Sequence, residues 1–307
     1  GLGSCLLKAG ADVAFVARAG TVNALHERGL GRTGIFGDFH AAPGSFMAVE
    51  SLEQLPAGGF DFVLVCVKSF DSAATAANLA AAGGRLGQAG PIVLCQNGWG
   101  NAQAFVRFFP TERIYNARVI TGFARPAANE VAITVHADAI HVGSLFHPEA
   151  LGRVEALCAA ISAGGIGCQT TRDIGADLWA KMLYNCCLNP LGAVLGVPYG
   201  RLGQSAASRA VMDEIAAEVY AVMAAAGWRT HWADAAGFLA AFYAHQLPAT
   251  AAHESSMLQD LRARRRTEID ALNAQVVALA GVHGVRVPFN RAMCELIRFK
   301  EQEYLGR

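Results

Sequence analysis

Two nearly unbroken apolar runs limit this chain more than anything else in it: FDFVLVCVKS at 60–69 and PIVLCQNG at 91–98. A strand with one wet face alternates apolar and polar residues. A run without alternation needs cover on both faces, which is the habit of parallel strands. Parallel neighbours cannot be joined by a tight turn and need a crossover, usually a helix. Ala74 to Ala82 supplies a helical pattern between the two runs. The chain therefore has to build an α/β sheet layered by helices.

The rest of the first half extends that pattern. LLKAGADVAFVAR reads as the end of a helix, a turn at Gly10 and a strand at Val13–Ala17. From Arg113 to Val142 the pattern is β-like, with strands expected at Tyr115–Ile120, Val131–Val135 and Ile140–Val142 as antiparallel additions to the sheet edge. After about residue 172 the strand signals stop. Helices are expected over 175–195, 205–226, 233–244, 255–281 and 289–304, punctuated at Gly227, Pro248 and Gly281–Gly284. The expected architecture is a Rossmann-type doubly wound sheet over residues 1–172, then an all-α C-terminal domain over 173–307. In such folds ligands bind at the carboxyl ends of the parallel strands. The start, GLGSCLLKAGADV, is unusual. Only six residues separate Gly3 from Gly10, too few for the helix of a βαβ unit. Residues 3–9 are therefore expected to be the helix that follows a glycine turn. The first strand and the turn itself are expected to lie outside this sequence, which would leave two open edges in mid-sheet.

Composition excludes several classes. The chain has 25 basic and 25 acidic residues, so it carries no basic footprint for nucleic acid. Its one basic run, Arg262 to Arg266, is flanked by Asp260 and Glu268 and reads as a solvated helix face. No apolar run is long enough for a membrane span. The eight cysteines form no C-x-x-C pair and the histidines show no ligand spacing, so no metal is expected. Reduced, mostly buried thiols fit a cytoplasmic protein.

Polar groups stand out against the apolar background at a few places. In WAKMLYNCCLNPLGAVLGVPYG, residues 179–200, Lys181, Asn185 and Asn189 recur every fourth residue. On a helix each step of four turns by only about 40°, so the three share one face. Trp179, Met182, Leu183, Cys186, Cys187 and Leu188 surround them. Such groups need partners. Either the lysine snorkels to water and the amides bond backbone, or the stripe is a cleft wall that holds a polar ligand and donates a proton. Arg18 ends a strand where NAD enzymes usually carry an acid for the ribose hydroxyl; an arginine there suits the 2′-phosphate of NADP. Lys68 follows the 60–69 strand, as a second phosphate cation or a solvent-facing loop lysine. Asn97-Gly98 closes the next strand, as turn chemistry or as an amide facing nicotinamide and substrate.

Taken together, these residues resemble the ketopantoate reductase family. The resemblance runs from Leu2 to about Tyr304. It rests on VAR at 16–18, VKS at 67–69, QNGWGN at 96–101, K-x3-N-x3-NPL at 181–191, SSMLQDLRARRRTEID at 255–270 and GVRVPFN at 284–290. It implies Lys181 as general acid, and Asn185, Asn189 and Ser256 as substrate contacts, Ser256 for the carboxylate. Asn97 would stand between cofactor and substrate, Arg18 and Lys68 around the 2′-phosphate, and Glu268 at the cofactor–substrate site. Ser256 and Glu268 are twelve residues apart, so on one straight helix they would point about 120° apart; only the resemblance joins them. Their alternatives are a helix cap for Ser256 and an ion pair with Arg264 or Arg265 for Glu268. The chain departs from many members at Tyr199-Gly200, where Asn-Gly is usual, and at His253, where some carry asparagine.

The implied reaction is hydride transfer from NADPH to the ketone of a small 2-oxo acid, ketopantoate to pantoate, in pantothenate synthesis. An ammonium partly desolvated by apolar neighbours gives up its proton more readily, which suits Lys181. Tyr199 and His253 favour a rival: another 2-oxo acid on the same scaffold. A second rival is a dinucleotide sensor that has lost the chemistry; a sensor has no need of an acid such as Lys181. The sequence leaves the oligomeric state open, a homodimer included.

Overall fold

A computed structural model describes residues 1–87 and 90–306. By internal packing the chain forms two units. One comprises 1–67, 71–96 and 102–174; the other comprises 68–70, 97–101 and 175–307. The first unit holds strands β1 (Ala14–Val16), β2 (Leu30–Gly34), β3 (Phe39–Ala41), β4 (Met47–Val49), β5 (Val63–Val65), β6 (Ile92–Leu94), β7 (Ile114–Arg118), β8 (Thr121–Ala124), β9 (Glu130–His136), β10 (Ile140–Gly143) and β11 (Cys168–Thr170). They form three sheets, ordered β1-β4, β11-β10-β7-β6-β5 and β3-β2-β9-β8.

The two apolar runs pair in parallel as expected, Val63 with Ile92 and Val65 with Leu94. β7 continues the parallel order, Ile92 with Ile114, so this is a Rossmann-type sheet. Here the sequence reading needs correcting. The 115–120 segment supplies β7, an interior strand parallel to β6 and antiparallel to β10, rather than an addition at the sheet edge. All five residues of β7 are buried, Asn116 and Arg118 included, as an interior strand requires. Arg118 is tolerated because it pairs with Asp138 at 2.8 Å. β10 is the antiparallel neighbour of β7, while β8 and β9 belong to a different sheet. The run at 60–69 also yields only three residues of strand. Gly1-Leu2-Gly3 opens the helix Leu2–Lys8, which stops before Gly10 at φ +83°. β1 pairs with β4 alone and β5 with β6 alone, among the described residues.

The second unit is helical. Ile174–Leu195, Ala206–Ala225 and Pro288–Leu305 match the expected helices to within a residue or so. The expected helix over 255–281 is instead broken. Ser256–Arg262 ends at Ala263, Arg264 takes a left-handed φ of 54°, and Asn273–His283 begins afresh. No helix of the described residues is long and apolar enough to cross a membrane.

Candidate active site

The helix Ile174–Leu195 puts Trp179, Met182, Leu183, Cys186, Cys187 and Leu188 into the core, each no more than 2% exposed. That burial fixes the rotation of the helix and so the direction of its polar stripe. Lys181 opens the stripe. Its Nζ donates to Asn97 Oδ1 at 2.7 Å. Asn97 is presented by a loop with little freedom. Trp99 N donates to Ala271 O at 3.0 Å, and the Trp99 ring lies 4.8 Å from both Trp179 and Trp228. Gly98 has φ +89°, and a Cβ there would stand 2.3 Å from Ala271 O, so no larger residue fits. Asn101 Nδ2 bonds Asn97 O at 2.9 Å and closes the loop on itself.

From Asn97 the network runs to a buried carboxylate. Asn97 Nδ2 donates to Glu268 Oε2 at 3.1 Å. The amide is thereby held at both ends, with its oxygen towards Lys181. Glu268 also accepts from Ser69 N and Ser69 Oγ, each at 3.1 Å, and from Lys68 Nζ at 3.3 Å. Lys68 Nζ reaches Asp260 Oδ2 at 2.9 Å, and Arg265 Nε reaches Asp260 Oδ1 at 3.1 Å. Glu268 and Asp260 are 6% and 4% exposed, so these charge-assisted bonds answer a real desolvation cost. Burial works against the Lys68 ammonium, but the charge of Glu268 and the bond and charge of Asp260 outweigh it. Its pKa stands above the ordinary lysine value.

Asn185 and Asn189 continue the stripe, both buried. The Asn185 amide makes no hydrogen bond to protein among the described residues. Asn189 Oδ1 accepts from Tyr199 Oη at 2.6 Å, and its main-chain carbonyl accepts from Ser255 Oγ at 3.3 Å. Ser256 is the exposed first residue of its helix. The cap is Ser255, whose oxygen accepts from Leu258 N at 3.0 Å. Glu268 pairs with Lys68, and Arg265 with Asp260, so neither alternative raised for Ser256 and Glu268 describes the structure. Arg18 belongs to the other unit. It is exposed, lies two residues beyond β1 and stands at the N-terminus of the helix Ala19–Arg28.

The structure thus gathers Lys181, Asn97, Glu268 and Lys68 into one continuous set. It adds Asp260 and Ser69, which the sequence reading left out. Asp260 had looked like a flank of the basic run, and Ser69 merely the end of VKS. Arg125 is a further addition: its Nη2 donates to Thr21 Oγ1 at 2.7 Å, in the first turn of the helix that Arg18 precedes. A carbonyl held against Lys181 would meet an ammonium fixed through Asn97, an arrangement able to protonate a developing alkoxide.

Known proteins agree in type. The family described as ketopantoate reductase PanE/ApbA matches residues 1–146, and its C-terminal family matches 173–301. A 2-dehydropantoate 2-reductase of Aquifex aeolicus is 29% identical over 301 residues, covering 96% of this chain and 91% of the relative. One from Halobacterium salinarum is 30% identical over 246 residues, covering 79% and 77%. The crystal structure of a PanE/ApbA family ketopantoate reductase from Ralstonia eutropha JMP134 matches with a TM-score of 0.83 at 28% identity, over 99% of this chain and 95% of that one.

Proposed function

This chain belongs to the ketopantoate reductase family, and from that premise we propose that it reduces 2-dehydropantoate to pantoate with NADPH, in the cytoplasm, on the route to pantothenate. It is an oxidoreductase of that family, whose members act on a small keto acid with a nicotinamide dinucleotide. The observation that carries the proposal is the Lys181–Asn97–Glu268 chain, with Nζ to Oδ1 at 2.7 Å and Nδ2 to Oε2 at 3.1 Å.

NADPH fits the residues present. Arg18 is exposed just after β1, where an acid would suit a ribose hydroxyl and a cation suits a 2′-phosphate. Arg125, bonded to Thr21 in the first turn of the adjoining helix, adds a second guanidinium. Lys68 is engaged by two carboxylates, Asp260 and Glu268, so a phosphate contact would require it to leave them. When bound, the cofactor supplies a hydride to the carbonyl carbon. The chain does the rest. Lys181 donates a proton to the carbonyl oxygen as charge develops there. Asn97, fixed by Glu268, holds that ammonium in place. Asn185 and Asn189 bind the substrate through amides, and Ser256 takes its carboxylate. The carbonyl becomes a hydroxyl, and balance requires one hydride and one proton.

The test is NADPH oxidation with ketopantoate against other branched 2-oxo acids. Lys181→Ala should lower kcat by about 100-fold or more, with NADPH affinity and melting temperature nearly unchanged. Asn185→Ala should act mainly on substrate KM. A Lys181→Ala enzyme of normal kcat would sink the proposal. A second reading, another 2-oxo acid on the same scaffold, is favoured by the contact of Tyr199 with His253, whose ring centroids are 5.3 Å apart. The same panel separates the two. Binding of NADPH without turnover of any 2-oxo acid would mark a sensor.

A further inference from the structure

Asn189 closes the polar stripe, and the structure does not leave its amide free to choose an orientation. A carboxamide offers an acceptor and a donor, and the two faces exchange when it flips. Tyr199 Oη donates to Asn189 Oδ1 at 2.6 Å. Tyr199 is only 3% exposed, so water scarcely competes for that oxygen. Burial, with Tyr184 close by, pushes the Tyr199 phenol well above its ordinary pKa, so it remains a donor across the working range.

Tyr199 is itself held on several sides. Its N–H donates to His253 O at 3.0 Å, and Gly200 N donates to Ala251 O at 2.8 Å. Its ring meets Tyr184 edge-on at 5.8 Å and His253 at 5.3 Å. Tyr184 is tied in turn, its hydroxyl 2.6 Å from Thr250 Oγ1. A Cβ on Gly200 would lie 2.9 Å from Ala251 Cβ, so the turn that carries Tyr199 is closely packed. Ser255 Oγ, at 3.3 Å, steadies the Asn189 main chain. Asn189 Nδ2, by contrast, makes no hydrogen bond to protein among the described residues.

We propose that Tyr199 is a positioning residue for substrate: it fixes the Asn189 amide with its oxygen turned inward, so that Asn189 presents only N–H donors and selects 2-oxo acids that place an acceptor oxygen there. This rests on Asn189 being a substrate contact, as in the function proposed above. A site so arranged discriminates against substrates with a bare hydrocarbon at that point, because the donor would lose water and gain nothing.

The test is steady-state kinetics with ketopantoate on Tyr199→Phe, which keeps the ring and removes the hydroxyl. KM should rise about 5- to 20-fold, with kcat within about twofold and NADPH affinity unchanged. In an Asn189→Ala background, Tyr199→Phe should add nothing to KM. Asn189→Asp, which keeps an oxygen for Tyr199 but loses the donor, should raise KM at least as much as Tyr199→Phe. If the Tyr199 and Asn189 effects add, or if Tyr199→Phe lowers kcat and leaves KM alone, the positioning role is wrong. If Asn189→Ala raises KM while Tyr199→Phe does not, only the positioning role falls. If Asn189→Ala leaves KM unchanged, Asn189 is no substrate contact, and that part of the proposed function falls with it.

Discussion

Arg18 and Lys68 both follow strands of the same unit, and their surroundings give them different tasks. Arg18 is exposed, with no carboxylate partner among the described residues. Lys68 is held by Asp260 and Glu268. An arginine without a partner is ready for an anion, and its planar fork matches a phosphate. Arg18→Ala should raise KM for NADPH by about 10- to 100-fold, equivalent to about 1.5–3 kcal/mol of charge-assisted bonding. KM for NADH should barely move. Steady-state kinetics with both cofactors checks this, and equal effects would place Arg18 away from the 2′-phosphate. At this scale the sequence was informative about residue type. A lysine and two amides at spacings of four required a wet or bonded face, and Lys181 has its bond to Asn97. It was silent about Asp260 and Ser69. Their roles come from bonds to residues about 190 to 200 positions away, and no local spacing encodes such a meeting.

Among the elements, Ile174–Leu195 raises a problem that another helix answers. Pro190 lies inside it and has no N–H, so the carbonyl four residues back, Cys186 O, loses its helical donor. Cys186 is fully buried, and water does not replace that donor. Asn273, at the start of its own helix, donates Nδ2 to Cys186 O at 3.2 Å and to Asn290 Oδ1 at 2.9 Å. Asn290 in turn is held by Glu218, which accepts from Phe289 N at 2.8 Å and Asn290 N at 2.9 Å and so caps Pro288–Leu305. Asn273→Leu should therefore destabilise the protein by about 2–4 kcal/mol, since a buried carbonyl and a buried amide oxygen lose a donor. Chemical denaturation measures this; a loss under about 0.5 kcal/mol would mean that Cys186 O finds another donor. The proline was legible in the sequence, but its compensation was not. The 255–281 stretch shows the converse. Its composition reads as one helix, and the break at Arg264 releases Glu268 from the helical register that would have turned it away from Ser256's face.

For the whole molecule, the guanidinium proposed for the 2′-phosphate and the ammonium proposed for proton transfer belong to different units, Arg18 to one and Lys181 to the other. Binding and chemistry should then separate under mutation. A ligand at 100 times its Kd stabilises a protein by about 2.7 kcal/mol. NADPH should raise the melting temperature of wild type and of Lys181→Ala alike. Arg18→Ala should lose most of that rise, and NADH should give wild type a smaller one. Loss of the NADPH shift in Lys181→Ala would make that lysine a cofactor contact. The amino-acid order by itself determined that parallel strands fall within 60–69 and 91–98, the long helices, and the face shared by Lys181, Asn185 and Asn189. Periodicity reports which side of an element is buried, and it acts over a few residues. Only the tertiary structure decided that β7 is interior, that Glu268 meets Asn97 and Lys68, and that Tyr199 sets the Asn189 amide. Those outcomes depend on which distant segments share a packed core, where a polar group must take whatever partner the fold brings within about 3 Å.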